Sequence, residues 1–317
     1  MQSPRQAPGP LPPPFLASPD VARALRLGLP VAALESTVIT HGLPHPQNLQ
    51  LARDMEAVLR KYGVTPATIA VLDGKIRIGL LDEELARLAR ARSPLKVSQR
   101  DLAAAVLKNA SGGTTVAGTM FAASRAGIRV FATGGIGGVH KEHPFDVSAD
   151  LRGLAEIPMV VVCAGAKAIL DLPATLEVLE TNGVPVVGYQ TDELPGFYTR
   201  ETGLRLGLRL DSAEDIAAFA QAHWSLGMSS AVLVANPIPP SYALQRSELD
   251  PILARASREA AARHVGGQAL TPFLLQRINE LTHGGSLRAN LELLLNNARL
   301  AARIASVMAV KHRQREI

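Results

Sequence analysis

The sequence predicts an α/β protein, with a largely parallel or mixed sheet covered by helices on both faces. Three observations lead there. First, short apolar runs of strand length recur: IRVFAT (Ile128 to Thr133), MVVVCAG (Met159 to Gly165), VPVVGYQ (Val184 to Gln190) and AVLVANP (Ala231 to Pro237). Segments with helical spacing separate them, and strands that are apolar throughout belong to sheets buried on both faces. Second, the 317 residues are 47% hydrophobic and 19% charged, below the roughly 25% charge of average globular chains, so a sizeable core is expected. Aromatics are only 4%, which makes that core aliphatic. Third, neither an internal repeat nor a linker interrupts the chain, so residues 19–317 are read as one domain.

Each element follows from local chemistry. Residues 1–18 are proline-rich, lack acids and show no period, which predicts a disordered or extended tail. Asp20 to Leu27 predicts a short helix stopped by Gly28 and Pro30, and VAALESTVIT (Val31 to Thr40) a mostly buried strand. A helix is expected near Asn48 to Tyr62. TIAVLDGKIRIGL then pivots on Asp73-Gly74, a strong two-residue hairpin signal. Helical patterns recur at Asp82 to Arg90 and at Ser98 to Asn109, where Ser98 and Asp101 resemble a capping box. Thr114 to Ala126 predicts a helix stopped by Gly127. The last stretch is helical from Thr271, with Pro272 at a helix start and a leucine and alanine period over Ser286 to Lys311.

Net charge is +5, which suits anionic ligands from a phosphate ester to RNA and does not choose between them. The arginines are spread; the densest stretch, RLARARSPLK, reads as a solvated helix face. The longest apolar run, Pro158 to Ala166, is far short of the roughly 18 residues a membrane span needs. One cysteine, Cys163, excludes an internal disulfide and fits a reducing, cytoplasmic setting; within an apolar strand it reads as packed and inert.

The chemistry clusters between Phe131 and Lys167. Lys167 follows a buried strand and a small-residue turn, which places it at the carboxyl end of the sheet, where open α/β sheets bind ligands. An amine in apolar surroundings keeps a neutral fraction that can attack a carbonyl carbon. Alone, it reads first as a helix-start lysine with a packed stem and a wet head. Glu35, inside an apolar strand, is either a general acid with a raised pKa or half of a buried ion pair with an arginine. The glycine loop TGGIGGVH (Thr133 to His140) is either a phosphate cradle or a packing turn. It fails the dinucleotide fingerprint, which would require glycine at His140. Lys96 before the Ser98 cap, and SGGTT (Ser111 to Thr115), mark helix starts that favour anions. Asp146 and Asp150 share a face if their segment is helical, and would suit Mg²⁺ or Mn²⁺ with retained waters; they read equally as solvated loop acids. His41, His45, His140 and His143 match no standard zinc spacing.

With those residues in place, the chain resembles the pseudouridine-5′-phosphate glycosidase, or indigoidine synthase A-like, family. The resemblance is carried by ordered blocks over nearly the whole length, among them ALESTVITHGLPHPQN, KVSQRDL, GGTTVAGTM, VFATGGIGGVH, FDVSADL, VVCAGAKAILDL and SLRANLELLLNNA. It implies a three-layer α/β/α sandwich assembled as a homotrimer, acting on a small nucleotide through reversible cleavage of the bond between uracil and ribose 5-phosphate. It implies that Lys167 forms an imine with the opened sugar, that Glu35 donates the proton, and that Asp146 holds Mn²⁺ (or Mg²⁺). Lys96, Val116, Ser148, Ala149, Asp150 and Asn290 would contact substrate, with His140 in the glycine-loop block. One departure is KEHPF between His140 and Asp146, which looks shorter than the family loop, with Lys141 where arginine is frequent; lysine keeps the charge and loses bidentate geometry. The rival readings are a nucleotide-dependent oxidoreductase, which lacks its fingerprint, and an RNA-binding protein, which lacks aromatics and a known motif.

Overall fold

A computed structural model of the chain describes residues 11–141, 145–265 and 270–313. The strands are β1 Phe15–Ala17, β2 Val31–Leu34, β3 Thr65–Leu72, β4 Lys75–Ile78, β5 Leu95–Val97, β6 Gly112–Thr114, β7 Val130–Ala132, β8 Val139–His140, β9 Val160–Cys163, β10 Leu170–Asp171, β11 Val186–Tyr189, β12 Leu208–Leu210 and β13 Val232–Ala235. The α-helices are α1 Pro19–Arg26, α2 Gln47–Lys61, α3 Asp82–Ala89, α4 Leu102–Leu107, α5 Val116–Arg125, α6 Ala149–Glu156, α7 Leu172–Thr181, α8 Ala213–Ser225, α9 Arg246–Ala262, α10 Leu270–Leu281 and α11 Gly285–Arg313.

The main sheet runs β1-β4-β3-β2-β7-β9-β13-β11-β12. From β3 to β12 every neighbouring pair is parallel, whereas β4 and β6 meet β3 antiparallel. Parallel neighbours need crossovers, and right-handed ones fix which face each helix covers. Connections that move along the sheet in one direction place α5, α6 and α7 on one face; α2 and α8 move the other way and lie with α11 on the opposite face. This is the expected three-layer α/β arrangement. β9 explains its own sequence: Val160, Val161, Val162 and Cys163 are all fully buried, because helices cover both faces and neither can be polar. Burial also pushes the Cys163 thiol up to about 12, which leaves it inert.

The Asp73-Gly74 hairpin forms as expected. Leu72 pairs with Lys75, and both turn residues take positive φ, 48° and 70°, as a type I′ turn requires. Two boundaries differ from expectation. The first is the tail: Phe15–Ala17 pairs in parallel with β4, and Ser18 caps α1, so order begins before residue 18; residues 1–10 lie outside the described residues. The second is the strand predicted over Val31 to Thr40, which ends at Leu34; Val38–Gly42 coils into one π-helical turn. Helix α11 is long and apolar enough to cross a membrane by length and composition, with half of that stretch buried inside the fold. Its Leu293, Leu294 and Ala298 are buried where α11 meets β2, β7 and β9.

Candidate active site

The connection leaving β2 leads to β3 on one side, while that leaving β7 leads to β9 on the other. Adjacent strands whose connections diverge open a crevice at their carboxyl ends. Glu35 is the first residue beyond β2, Thr133 the first beyond β7, and Lys167 lies four residues beyond β9. Glu35 and Lys167 line one cleft of about 550 Å³, counting its open mouth, together with Lys96, His41, Gly134, Gly135, Phe197 and Asn290.

Glu35 leaves the strand because Ser36 is tied elsewhere. The Ser36 hydroxyl donates to the Ile69 carbonyl at 2.5 Å and accepts from the Thr114 N–H at 2.9 Å, which bends the chain away from the β7 ladder. Glu35 itself is only 8% exposed. Burial raises its pKa above the ordinary carboxylate range, and the Asp150 charge adds to that. The Lys167 charge, the hydrogen bond donated by the Thr133 hydroxyl and the Lys96 charge oppose it. Among the described residues no arginine is paired with it, and the cations acting on it are the two lysines rather than the arginine of a buried ion pair.

Lys167 is set by its backbone. Gly165 takes φ +89°, where a side chain would also meet the Pro195 carbonyl. The Lys167 N–H then donates to Ile136 at 3.1 Å, and its carbonyl accepts from Leu170 at 3.0 Å. Lys96 enters from β5, with its pKa lowered by burial and then by the like charge of Lys167. His41 comes from the π-helical turn; burial and then Lys96 lower its pKa, and its Nδ1 lies 2.7 Å from the Thr40 hydroxyl. Val116 opens α5, where a backbone N–H lacks an intrahelical partner. Thr115, not part of the helix proper, caps it by accepting from Gly118 at 3.3 Å.

The two aspartates part company. Asp150 is buried in the first turn of α6; its Oδ1 accepts from Ala117 N–H at 2.9 Å and its Oδ2 from Gly137 N–H at 2.8 Å. It joins the start of α5 to the glycine loop. Asp146 precedes the helix on an exposed loop, and its carboxylate has no partner among the described residues. They do not form a metal pair, and no group of three or more His, Cys, Asp or Glu side chains converges among the described residues. Ser148 caps α6, its hydroxyl accepting from Asp150 N–H at 3.2 Å; Ala149 is exposed at the first helical position. His140, half-buried on β8, pairs with Leu170 of β10 and does not line the cleft. Lys141 is exposed beside it, while His143 lies outside the described residues.

The glycine loop corrects the simple cradle reading. A Cβ on Gly137 would strike Ser148 and lie 2.8 Å from Asp150 Oδ2, and one on Gly138 would strike Thr175. These glycines serve packing. Gly134 and Gly135 do face the cleft, and a Cβ on Gly135 would meet the Phe197 ring at 2.6 Å. Phe197 and the cleft role of His41 were not legible in sequence. Phe197 reaches the cleft by adopting φ +67° between Gly196 and Tyr198, which no local pattern announces.

Residues 20–307 match the family described as "Indigoidine synthase A like protein". A protein of Paracoccus denitrificans (strain Pd 1222) named pseudouridine-5′-phosphate glycosidase is 55% identical, over 94% of this chain and 100% of its own. One of the same name from Caldanaerobacter subterraneus subsp. tengcongensis is 52% identical, over 91% and 94%. Among solved structures, the prealnumycin C-glycosynthase AlnA in complex with ribulose 5-phosphate superposes with a TM-score of 0.87 at 36% identity, covering 95% of this chain and 98% of that one. An indigoidine synthase A-like protein from Thermotoga maritima superposes with a TM-score of 0.86 at 35% identity, over 93% and 96%. With the match spanning both the sheet and the cleft residues, the chain belongs to the indigoidine synthase A-like family.

Proposed function

We propose that this protein is an enzyme that reversibly cleaves the carbon–carbon bond of pseudouridine 5′-phosphate to uracil and ribose 5-phosphate, through an imine on Lys167. The observation that carries the proposal is the buried Glu35, its pKa raised by burial, lining one cleft with two lysines at the switch point of the sheet. Relatives at 50–55% identity bear the name of this activity, and a structural neighbour binds a five-carbon sugar phosphate. A carbon-linked base has no leaving oxygen to protonate, so a pair of carboxylates is insufficient.

A balanced sequence uses the chain's own groups. The Lys167 amine attacks C1′; the N–C1′ bond forms as C1′–O4′ opens, and O4′ leaves as a hydroxyl with the proton lost from nitrogen. The nitrogen lone pair then forms the imine as the C1′–C5 bond breaks. Its electron pair stays on C5, which takes the Glu35 proton and departs as uracil. Water adds to C1′, returns a proton to Glu35 and releases ribose 5-phosphate from the free amine. Lys96 and the α5 start at Val116 are suited to hold the phosphate, and Asn290 is placed to bind the sugar or base from α11. In this proposal Ser148, Ala149, Asp150 and His140, which do not line the cleft, act from around it, Asp150 by holding the start of α5 to the glycine loop. The direct test is uracil release from pseudouridine 5′-phosphate by the purified protein, and the absence of release would refute the reading.

Lys96→Ala should raise KM for ribose 5-phosphate roughly tenfold to a hundredfold, the loss of one charge-assisted hydrogen bond, with a smaller change in kcat. Because the Lys96 pKa is depressed, wild-type KM should climb with pH below the ordinary lysine range, and the variant should lose that climb. Steady-state kinetics across pH checks both.

The metal belongs to the same proposal. One exposed carboxylate fits a hard ion that keeps most of its waters, so Asp146 would hold a single Mn²⁺ or Mg²⁺. Bound there, it would supply positive charge. Asp146→Ala should abolish manganese binding in calorimetry and make turnover insensitive to chelator, with unchanged melting. Persisting manganese binding in the variant would place the ion elsewhere. We further propose a cytoplasmic homotrimer, the assembly that the family resemblance implies; the buried free thiol of Cys163 fits a reducing setting.

A further inference from the structure

We propose that Asn297 is the positioning residue of the proton donor, acting on Glu35 through Thr133. The inference rests on the proposed role of Glu35 and adds a device that sets its orientation and acidity. Asn297 is fully buried on α11. Its Nδ2 donates to the Thr133 carbonyl at 2.8 Å and reaches that of Gly134 at 3.4 Å. Its Oδ1 accepts from Asn236 Nδ2 at 2.9 Å. Asn236, the first residue beyond β13, donates its own N–H to the Cys163 carbonyl at 2.8 Å. A flipped Asn297 amide would set its oxygen against the Thr133 carbonyl and its nitrogen against the Asn236 amide nitrogen, so only one orientation pairs every group. The relay Asn236–Asn297–Thr133 therefore locks the carboxyl ends of β13, β9 and β7 to the covering helix at the point where the catalytic loops depart.

The end of that relay is chemical. Thr133 is fully buried, and its hydroxyl is the hydrogen-bond donor on Glu35 Oε1. The charged groups that also act on Glu35 are Lys167 from the β9 loop, Lys96 from β5 and Asp150 from α6. Thr133 is the neutral member, and it favours the carboxylate form. With its carbonyl held by Asn297, the residue cannot swing, and Glu35 keeps both its aim and the support that offsets part of the cost of burial. A free Thr133 backbone would loosen that bond. Glu35 would then hold its proton to higher pH and deliver it with poorer aim.

The test follows the Glu35 carboxylic-acid band by infrared difference spectroscopy (each protein minus its Glu35→Gln form) across pH, alongside kcat. This titration needs no turnover. If the wild type titrates but releases no uracil, the functional reading fails while the positioning role is still decided. Asn297→Ala is expected to move the Glu35 midpoint to higher pH and to lower kcat roughly tenfold. Thr133→Val should shift the midpoint in the same direction, Thr133→Ser should restore it, and combining Asn297→Ala with Thr133→Val should add little. Asn236→Ser, which removes the partner that orients the Asn297 amide, should give a smaller shift of the same sign; it decides the matter if Asn297→Ala does not fold. A midpoint that stays put or falls in Asn297→Ala, or in Asn236→Ser where that is the deciding variant, overturns the proposal and leaves Asn297 a packing residue alone.

Discussion

Lys167→Ala is expected to end uracil release from pseudouridine 5′-phosphate and to abolish covalent capture of ribose 5-phosphate. Borohydride reduces an imine to a stable secondary amine, so the wild-type protein treated with ribose 5-phosphate and borohydride should gain the mass of one sugar phosphate. Peptide mapping should place that mass on Lys167. The expected loss of turnover in the variant is at least about 10³-fold, since removal of a nucleophile removes the covalent route altogether. Folding should survive, because the backbone bonds to Ile136 and Leu170 do not use the side chain. Lys96→Ala serves as the control: it lines the same cleft and should still form the adduct at saturating sugar phosphate. Capture that persists in Lys167→Ala, or that moves to Lys96, would sink the assignment. A wild type that turns over without ever being trapped would do the same.

What could be read from sequence depended on how local its cause is. The Asp73-Gly74 hairpin was legible because the turn's positive φ angles select those two residues directly. The apolar run of β9 was legible because burial on both faces writes itself into consecutive residues. The end of β2 was not. VAALESTVIT remains apolar past Glu35, and what stops the strand is Ser36 bonding to Ile69 and Thr114, 33 and 78 residues away. The Asp146 and Asp150 spacing misled for a similar reason. Helix α6 begins only after Ser148, and Asp150 is claimed by Ala117, 33 residues back in the chain. Lys167 was placed correctly because strand, small-residue turn and lysine are contiguous. The partners that surround it were set by topology.

Glu35→Gln should preserve sugar-phosphate binding and remove most turnover, because it keeps the shape and deletes the transferable proton. General acid catalysis typically contributes about 10²- to 10⁴-fold, and a loss in that range is expected in kcat with a small change in KM. The pH dependence gives the sharper test. Burial raises the Glu35 pKa, so the wild-type rate should fall as pH rises through that raised value and the acid is lost; the variant's residual rate should lack this limb. Stability carries the same signature. A carboxyl whose folded pKa lies above its unfolded value contributes stability fully below the unfolded value of about 4.5, and loses it as pH rises through the folded value. Wild-type melting temperature should therefore decline over that window while Glu35→Gln declines less, since glutamine never ionises. Near-normal turnover in Glu35→Gln would hand the proton to another group. Equal pH slopes of melting in the two proteins would mean that the carboxyl is not held protonated, and the acid role would have to leave Glu35.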